Sequence, residues 1–221
     1  MSTILPELIL TPDLPRRSPR QVDLHAENTA LSDLAREFAG PGGNVFQPVA
    51  EAILRLCRAH SAGISLIEGG GTEAVFRWVA VCGAWAGYQG GSMPRNASPC
   101  GLVVDTKAWQ LMGRPAAHFP EMKDADPPVV EVLLVPFQVL DETVGTVWAI
   151  SHDAGLVFDS EDLRVMENLA EFAGAAYRTR ERLKRDHELR DEISRSSTRL
   201  TQMNEKLWQR LESDNKEWPT R

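Results

Sequence analysis

After Phe158 the chain runs to Pro219 without a proline, and that one stretch limits the architecture more than any other feature. Asp159 can cap a helix there, with Glu161 and Asp162 in the first turn against the positive end of its dipole. Continued to about residue 214, the helix has roughly 55 residues and a length of roughly 80 Å. A single domain cannot cover it, so the far half needs a partner. With Leu169 at heptad position a, the a series is Leu169, Ala176, Leu183, Arg190, Ser197, Asn204 and Leu211. The d series is Phe172, Thr179, Asp186, Ile193, Leu200 and Leu207. This is a coiled-coil seam with defects. A solvated charged helix would explain why 13 basic residues balance 13 acidic ones from Ser160 onward. It would not explain Ile193, Leu200 and Leu207 recurring at heptad intervals. The expectation is a parallel homodimer through Phe172, Ala176, Leu183, Ile193, Leu200, Asn204, Leu207 and Leu211. Asn204 is the candidate register-setting residue, while Asp186, Arg190 and Ser197 weaken the middle.

The preceding part must hold the globular core. Before Ser160, 11 basic residues face 18 acidic ones, so the whole net charge of −7 lies there. That is the wrong sign for a phosphate-binding surface, and no nucleic-acid partner is expected. No run approaches the roughly 18 apolar residues of a membrane span. Cys57, Cys82 and Cys100 are an odd set without zinc spacing, and the N-terminus lacks a signal-peptide pattern. These features predict a cytoplasmic chain with reduced thiols and no membrane partner.

Residues 1–27 carry Pro6, Pro12, Pro15 and Pro19 among scattered charges and read as a flexible leader. From Thr29 the helical spacing of Leu31, Leu34, Ala35 and Phe38 predicts a helix that Gly40 to Gly43 stops. A second helix follows, with Asn44 as cap, Gln47 as capping-box partner, and Val49, Ile53 and Leu56 as its buried stripe. Cys57 borders that stripe as a small core residue. Five strands are expected over 61–67, 74–82, 109–112, 129–137 and 143–151, with turns at 68–71 and 141–142. Strands that follow one another, rather than alternating with helices, predict an α+β domain with an antiparallel sheet and helices on one face. The division is a leader over 1–27, a domain over 28–159, a long helix over 160–214 and a tail over 215–221.

The ordered series Ser61–Ile67, Phe76–Gly83, Met93–Gly101, His118–Pro120, Val135–Pro136, Gly145–Trp148, Ser151–Asp153 and Phe158–Asp162 resembles GAF domains, over about Thr29 to Tyr177. It is most similar to those at the sensory end of bacterial histidine kinases and related signalling proteins. The resemblance implies a six-stranded antiparallel sheet, helices on one face, a small-molecule cavity on the other and dimerisation through terminal helices. The sixth strand would lie within 85–97 or near Ala116. It also implies a cytoplasmic, non-enzymatic sensor that passes its state to a kinase or other signalling output domain or partner. Two alternatives come with the family. One is a redox sensor or thiol enzyme like the methionine sulfoxide reductases, built on Cys100. The other is a chromoprotein holding a bilin or haem; no cofactor is assigned.

Ser98-Pro99-Cys100-Gly101 is the most informative local motif. Ser98 suits an N-cap and Pro99 the first helical position, which puts Cys100 in the first turn of a short helix to about Asp105. A thiol at the positive dipole end, with Arg95 nearby, is expected to have a lowered pKa and to be the redox or ligand-attaching candidate. Alternatively Cys100 packs as a small residue and Gly101 permits a close backbone approach. In the cavity that the resemblance implies, Arg95, Cys100 and His118 supply polar groups, and Trp85, Tyr88, Trp109 and Trp148 supply the lining. His118 more simply bonds to backbone, and His152-Asp153 is either a pKa-tuning pair or a strand-end turn. His60, His118 and His152 lack ligand spacing, so no metal is expected. The glycines at 69–71 and 90–91 lack the companions of a phosphate loop. His187-Glu188-Leu189-Arg190 is similar to a kinase phosphoacceptor box but departs at Asp191 and Glu192. The 34 residues after His187 hold no catalytic region, so the box reads as coil.

Overall fold

The computed structural model describes residues 8–40 and 46–216, which fall into two compact units divided after Arg178. The predicted α+β architecture is present. Helices α1 (Leu24–Ala39) and α2 (Phe46–Leu56) precede strands β1 (Ser61–Glu68), β2 (Val75–Gly83) and β3 (Ser92–Pro94). Then come α3 (Pro99–Thr106), β4 (Gln110–Gly113), β5 (Glu131–Val139), β6 (Glu142–Ser151) and α4 (Ser160–Lys216). All six strands form one antiparallel sheet in the order β3-β2-β1-β6-β5-β4. The sixth strand is β3, inside the segment 85–97. Among the described residues no helix is long and apolar enough to cross a membrane.

Local chemistry explains the boundaries. Asp23 caps α1 by accepting from the Ala26 amide at 2.9 Å. The expected cap Asn44 and stop 41–43 lie outside the described residues. Between β5 and β6, Leu140 and Asp141 both have positive φ (52° and 66°), as a two-residue hairpin turn requires. Asp159 accepts from the amides of Glu161 and Asp162 at 2.8 and 3.1 Å, and the Asp162 carboxylate accepts in return from the Asp159 amide at 3.0 Å. This reciprocal box starts α4 at the predicted residue.

The alternation of the central strands β1 and β6 divides the interior into two layers. Ile64, Leu66, Val147 and Ala149 face the helices, where they join Leu34, Val49, Ile53, Cys57, Met166, Leu169, Ala173 and Ala176. Trp148 and Ile150 face the other way, into a layer with Phe76, Trp85, Met93, Cys100, Val103 and Val132. The indole of Trp148 lies across Gly63 of β1. A Cβ on Gly63 would come within 2.3 Å of that ring and 2.5 Å of the Ala80 carbonyl oxygen.

Two expectations are corrected. From Leu8 the presumed flexible leader is an ordered strap. Leu10 N donates to Leu111 O at 2.8 Å and Gly113 N donates to Leu8 O at 2.9 Å, which extends the sheet past β4. Leu8 and Leu14 are buried, one in each layer. Prolines forbid a long helix but suit an extended strap with a 3-10 turn at Thr11–Arg16. Its charges are paired across the fold: Arg17 grips both carboxylate oxygens of Glu131 at 2.8 Å, and Arg20 Nε donates to Asp162 at 2.9 Å. Second, the sheet unit ends at Arg178 rather than at residue 159, because Val165, Met166, Leu169, Ala170, Ala173 and Ala176 of α4 complete its core. Ala176 and Phe172 are therefore removed from the expected seam. Ala176 is fully buried within its own chain, and Phe172 packs 6.2 Å from the Phe38 ring.

Gly63→Ala is expected to lower stability by about 1–3 kcal/mol or more, because the added methyl must move either the Trp148 ring or the β2 backbone. Chemical denaturation of the two proteins measures the difference.

Candidate functional site

The layer opposite the helices is built from short and irregular pieces: β3, α3 and the segments 84–91 and 114–130. Four polar groups meet in the middle of this apolar packing. Trp148 Nε1 donates to Ser65 Oγ at 2.9 Å. Thr146 Oγ1 donates to Cys100 Sγ at 3.2 Å, and the Cys100 thiol points to Ser65 Oγ at 3.9 Å. Ser65 and Thr146 are 0% exposed, Trp148 3% and Cys100 6%. Strand alternation sends Ser65, Thr146 and Trp148 to this side, and the cap of α3 delivers Cys100. Ser98 Oγ accepts from Gly101 N at 3.2 Å, and Gly101 lies so close to Arg95 that a Cβ would fall 2.1 Å from its carbonyl oxygen. The predicted cap, first-turn proline and close glycine are all present.

The expected lowering of the Cys100 pKa is overturned. Burial pushes the thiol up, and the hydrogen bonds from Thr146 and to Ser65 offset this only in part. Arg95 does not face the sulfur; its guanidinium pairs with Asp105. Burial also raises Cys57 well above the usual range and Cys82 to about 11, so all three thiols stay protonated.

A second cluster sits where β1 begins and β6 ends. His152 Nδ1 donates to the Pro128 carbonyl at 2.9 Å, which fixes the tautomer and leaves Nε2 to accept from Ser61 Oγ at 2.7 Å. Ser61 Oγ accepts in turn from the Trp85 amide at 3.0 Å, and Trp85 Nε1 donates to Pro127 O at 2.9 Å. Trp85 touches Trp78, Tyr88, Trp148 and His152 with ring centroids 5.3–6.2 Å apart. His60 Nδ1 accepts from the His152 amide at 3.0 Å, and its Nε2 lies 3.6 Å from Asp153. Of the two readings of His152-Asp153, the strand-end turn fits: Asp153 accepts from Ser151 Oγ and from the Gly155 amide, and its nearest imidazole is that of His60.

Of the predicted site residues, Trp85, Trp148 and Cys100 come together in this layer, while Arg95 stands at its surface. His118 is half-buried after the 3-10 turn Pro115–Ala117. Trp109 is elsewhere, packed on the helix-side layer and lining a cleft of ≈ 740 Å³ with Phe137, Gly174 and Arg178. Ser65, Thr146, Ser61 and the role of His152 were not singled out in the sequence. The alternation of β1 and β6 could have placed Ser65 and Thr146 opposite the helices. Among the described residues no three His, Cys, Asp or Glu side chains converge as a metal would need.

Burial pulls the His152 pKa below its ordinary value. The unfolded chain therefore takes up the proton first, and the contribution of the neutral ring is complete above about pH 6.5 and declines as pH falls toward the folded pKa. Comparing His152→Gln with the wild type by denaturation at several pH values is expected to show a smaller loss for the variant on acidification.

Residues 43–177 match the GAF domain family. No curated protein sequence matches the chain. Among solved structures, the GAF domain of Acinetobacter phosphoenolpyruvate-protein phosphotransferase superposes with a TM-score of 0.58 at 12% identity, over 71% of this chain and 93% of its own. The free methionine-R-sulfoxide reductase of Neisseria meningitidis, in complex with its substrate, gives 0.56 at 15% identity over 73% and 94%. The second GAF domain of DevS from Mycobacterium smegmatis gives 0.51 at 21% identity over 63% and 95%. At such identities the likeness is one of fold. Family match and fold agree, and the chain belongs to the GAF domain family.

Proposed function

We propose that this chain is a sensory module: its sheet unit takes a small ligand into the layer around Trp148, and α4 reports the change through a paired coiled coil to a signalling output domain or partner. The observation that carries this reading is that one helix bears two apolar stripes. Its first part buries Val165, Met166, Leu169, Ala173 and Ala176 in the sheet unit. Beyond Arg178 it exposes Leu183, Leu189, Ile193, Leu200, Met203, Leu207 and Trp208 at 50–64%. Every one of these lies at heptad position a, d, e or g. A solvated helix has no reason to confine its large apolar residues to that side. The predicted Leu211 side chain lies outside the described residues.

The fitting ligand class is small and mainly apolar or aromatic, with one or two hydrogen-bonding groups. Such a molecule would meet the rings of Trp85 and Trp148 and the hydroxyls of Ser65 and Thr146. A molecule held there packs against the Trp148 ring. The neighbouring Val147 and Ala149 pack on the helix-side layer that includes α4. The ligand then shifts the coil only by its difference in affinity for the two arrangements.

Screening a small-metabolite panel by thermal shift is expected to give a compound that raises the Tm of the wild type but not of Ser65→Leu, whose added bulk fills the layer. The same compound should change the dimer dissociation constant of the wild type in sedimentation. Compounds that stabilise both proteins equally, or bind without altering association, would sink the proposal.

A further inference from the structure

The exposed part of α4 breaks its apolar seam at two neighbouring core positions, Asp186 at d and Arg190 at a, both exposed within the protomer. We infer that these two residues form reciprocal ion pairs between chains, Asp186 of each with Arg190 of the other, so that the seam accepts only a second copy of this chain, parallel and in register. This rests on the coiled-coil reading above and deepens it by naming the partner and the residues that select it.

The order of the layers separates the possible pairings. In a parallel, in-register pair each core residue faces its own copy. Leu183, Ile193, Leu200 and Leu207 then form apolar layers, and Ser197 and Asn204 form polar ones. A stagger of one heptad sets Leu183 against Arg190 and Asp186 against Ile193. An antiparallel pair that brings a against d, with Leu183 facing Leu207, sets Arg190 against Leu200 and Ile193 against Ser197. Both alternatives bury charge or hydroxyl against aliphatic side chains without a polar partner. The antiparallel register that faces Asp186 with Arg190 and Leu183 with Ile193 avoids this but leaves Leu200 and Leu207 unpaired, because the residues they would face, Ala176 and Leu169, are buried in the sheet unit.

Facing Asp186 with Asp186 and Arg190 with Arg190 looks equally poor until the knobs-into-holes geometry is followed. In a parallel pair, a knob at a enters a hole formed by the d residue four earlier, the g residue just before, the equivalent a residue and the next d residue. For Arg190 those residues are the other copy's Asp186, Leu189, Arg190 and Ile193. Each guanidinium thus meets a carboxylate, and its methylenes lie along Leu189, which explains an exposed leucine at g. The same geometry sets a g residue beside the e residue five further on in the other copy. Met203 and Trp208 hold those positions and are 57% and 64% exposed. A thioether against an indole is a favourable contact, and the arrangement forms it twice. In the antiparallel pair g meets g and e meets e, so neither contact forms.

Charge reversal in the full-length protein tests the inference. Asp186→Arg gives a chain with two cations at the break, and Arg190→Asp gives one with two anions. Each alone is expected to self-associate at least about tenfold more weakly than the wild type in sedimentation. An equimolar mixture is expected to recover dimers of near wild-type tightness as heterodimers, detected by resonance energy transfer between differently labelled chains. Recovery requires that opposite charges meet between chains at this break, which intrahelical pairing does not supply; the antiparallel register that also brings 186 to 190, with Leu183 facing Ile193, separates labels placed near residue 208, which the parallel pair holds together. Single variants that dimerise as tightly as the wild type overturn the inference. So does a mixture that stays dissociated while circular dichroism shows unchanged helix content. A wild type that is itself monomeric overturns the coiled-coil reading as well, so the two failures are distinct.

Discussion

The buried side chains of β1 and β6 divide between two layers, and both layers share the same central strands. Thr146, Trp148 and Ile150 lie on one side, with Val147 and Ala149 between them on the other. The Trp148 indole rests on Gly63 closely enough that even a methyl group there would collide with it. Ring and strand are thus packed as one piece, and the residues on the opposite face of β6 belong to the core that α4 completes. A close-packed interior shifts between discrete packings rather than deforming smoothly. In the proposed sensor these shared strands are the mechanical route between the ligand layer and the helix.

The same burial decides the chemistry. A first-turn position at a helix N-terminus favours a thiolate by about 0.3–1 kcal/mol. Removing the charged form from water shifts a pKa by up to several units, each about 1.4 kcal/mol. At Cys100 the second effect prevails. The Ser98 cap, the proline and the close glycine were legible because each concerns neighbours a few residues away. The depth of the sulfur was not, since it depends on Ser65 and Thr146, which are 35 and 46 residues distant in sequence. Trp109 shows the same limit. Its place one residue before β4 was nearly correct, yet which layer it enters is fixed by the pairing of β4 with β5 rather than by the residues beside it.

The strap illustrates how charge hides an ordered segment. Read locally, Arg17 and Arg20 are two cations between prolines, and scattered charge suggests solvation. Folded, Arg17 reaches Glu131 across 114 residues, while Glu131 also accepts from the amide of Phe158 at 2.8 Å. Arg164 ties Glu27 of α1 to Glu161 of α4, which holds the Glu27 carboxylate below its usual range. These pairs surround the first turn of α4. There burial pushes Asp162 up to about 6, against the opposing pull of Arg20 and the Asp159 amide. The strap lies before the matched family region, and its contacts with Glu131, Phe158 and Asp159 anchor the start of the long helix.

Beyond Arg178 the physical problem is reversed. The helix there has charge and length but no core of its own, and isolated helices in water are only marginally stable because nucleation is costly and side-chain pairs add tenths of a kcal/mol. In the proposed dimer, burying the stripe from Leu183 to Trp208 against the second copy supplies the missing stabilisation, so helix formation and pairing depend on each other. A continuous leucine seam would pair in almost any state of the sheet unit. In the proposed dimer, a seam interrupted at Asp186, Arg190, Ser197 and Asn204 is held by fewer apolar layers and by contacts that exist only when both chains are aligned. In the proposed sensor such a weakened seam is one whose pairing a packing change at the sheet unit can bias, because one helix joins both parts.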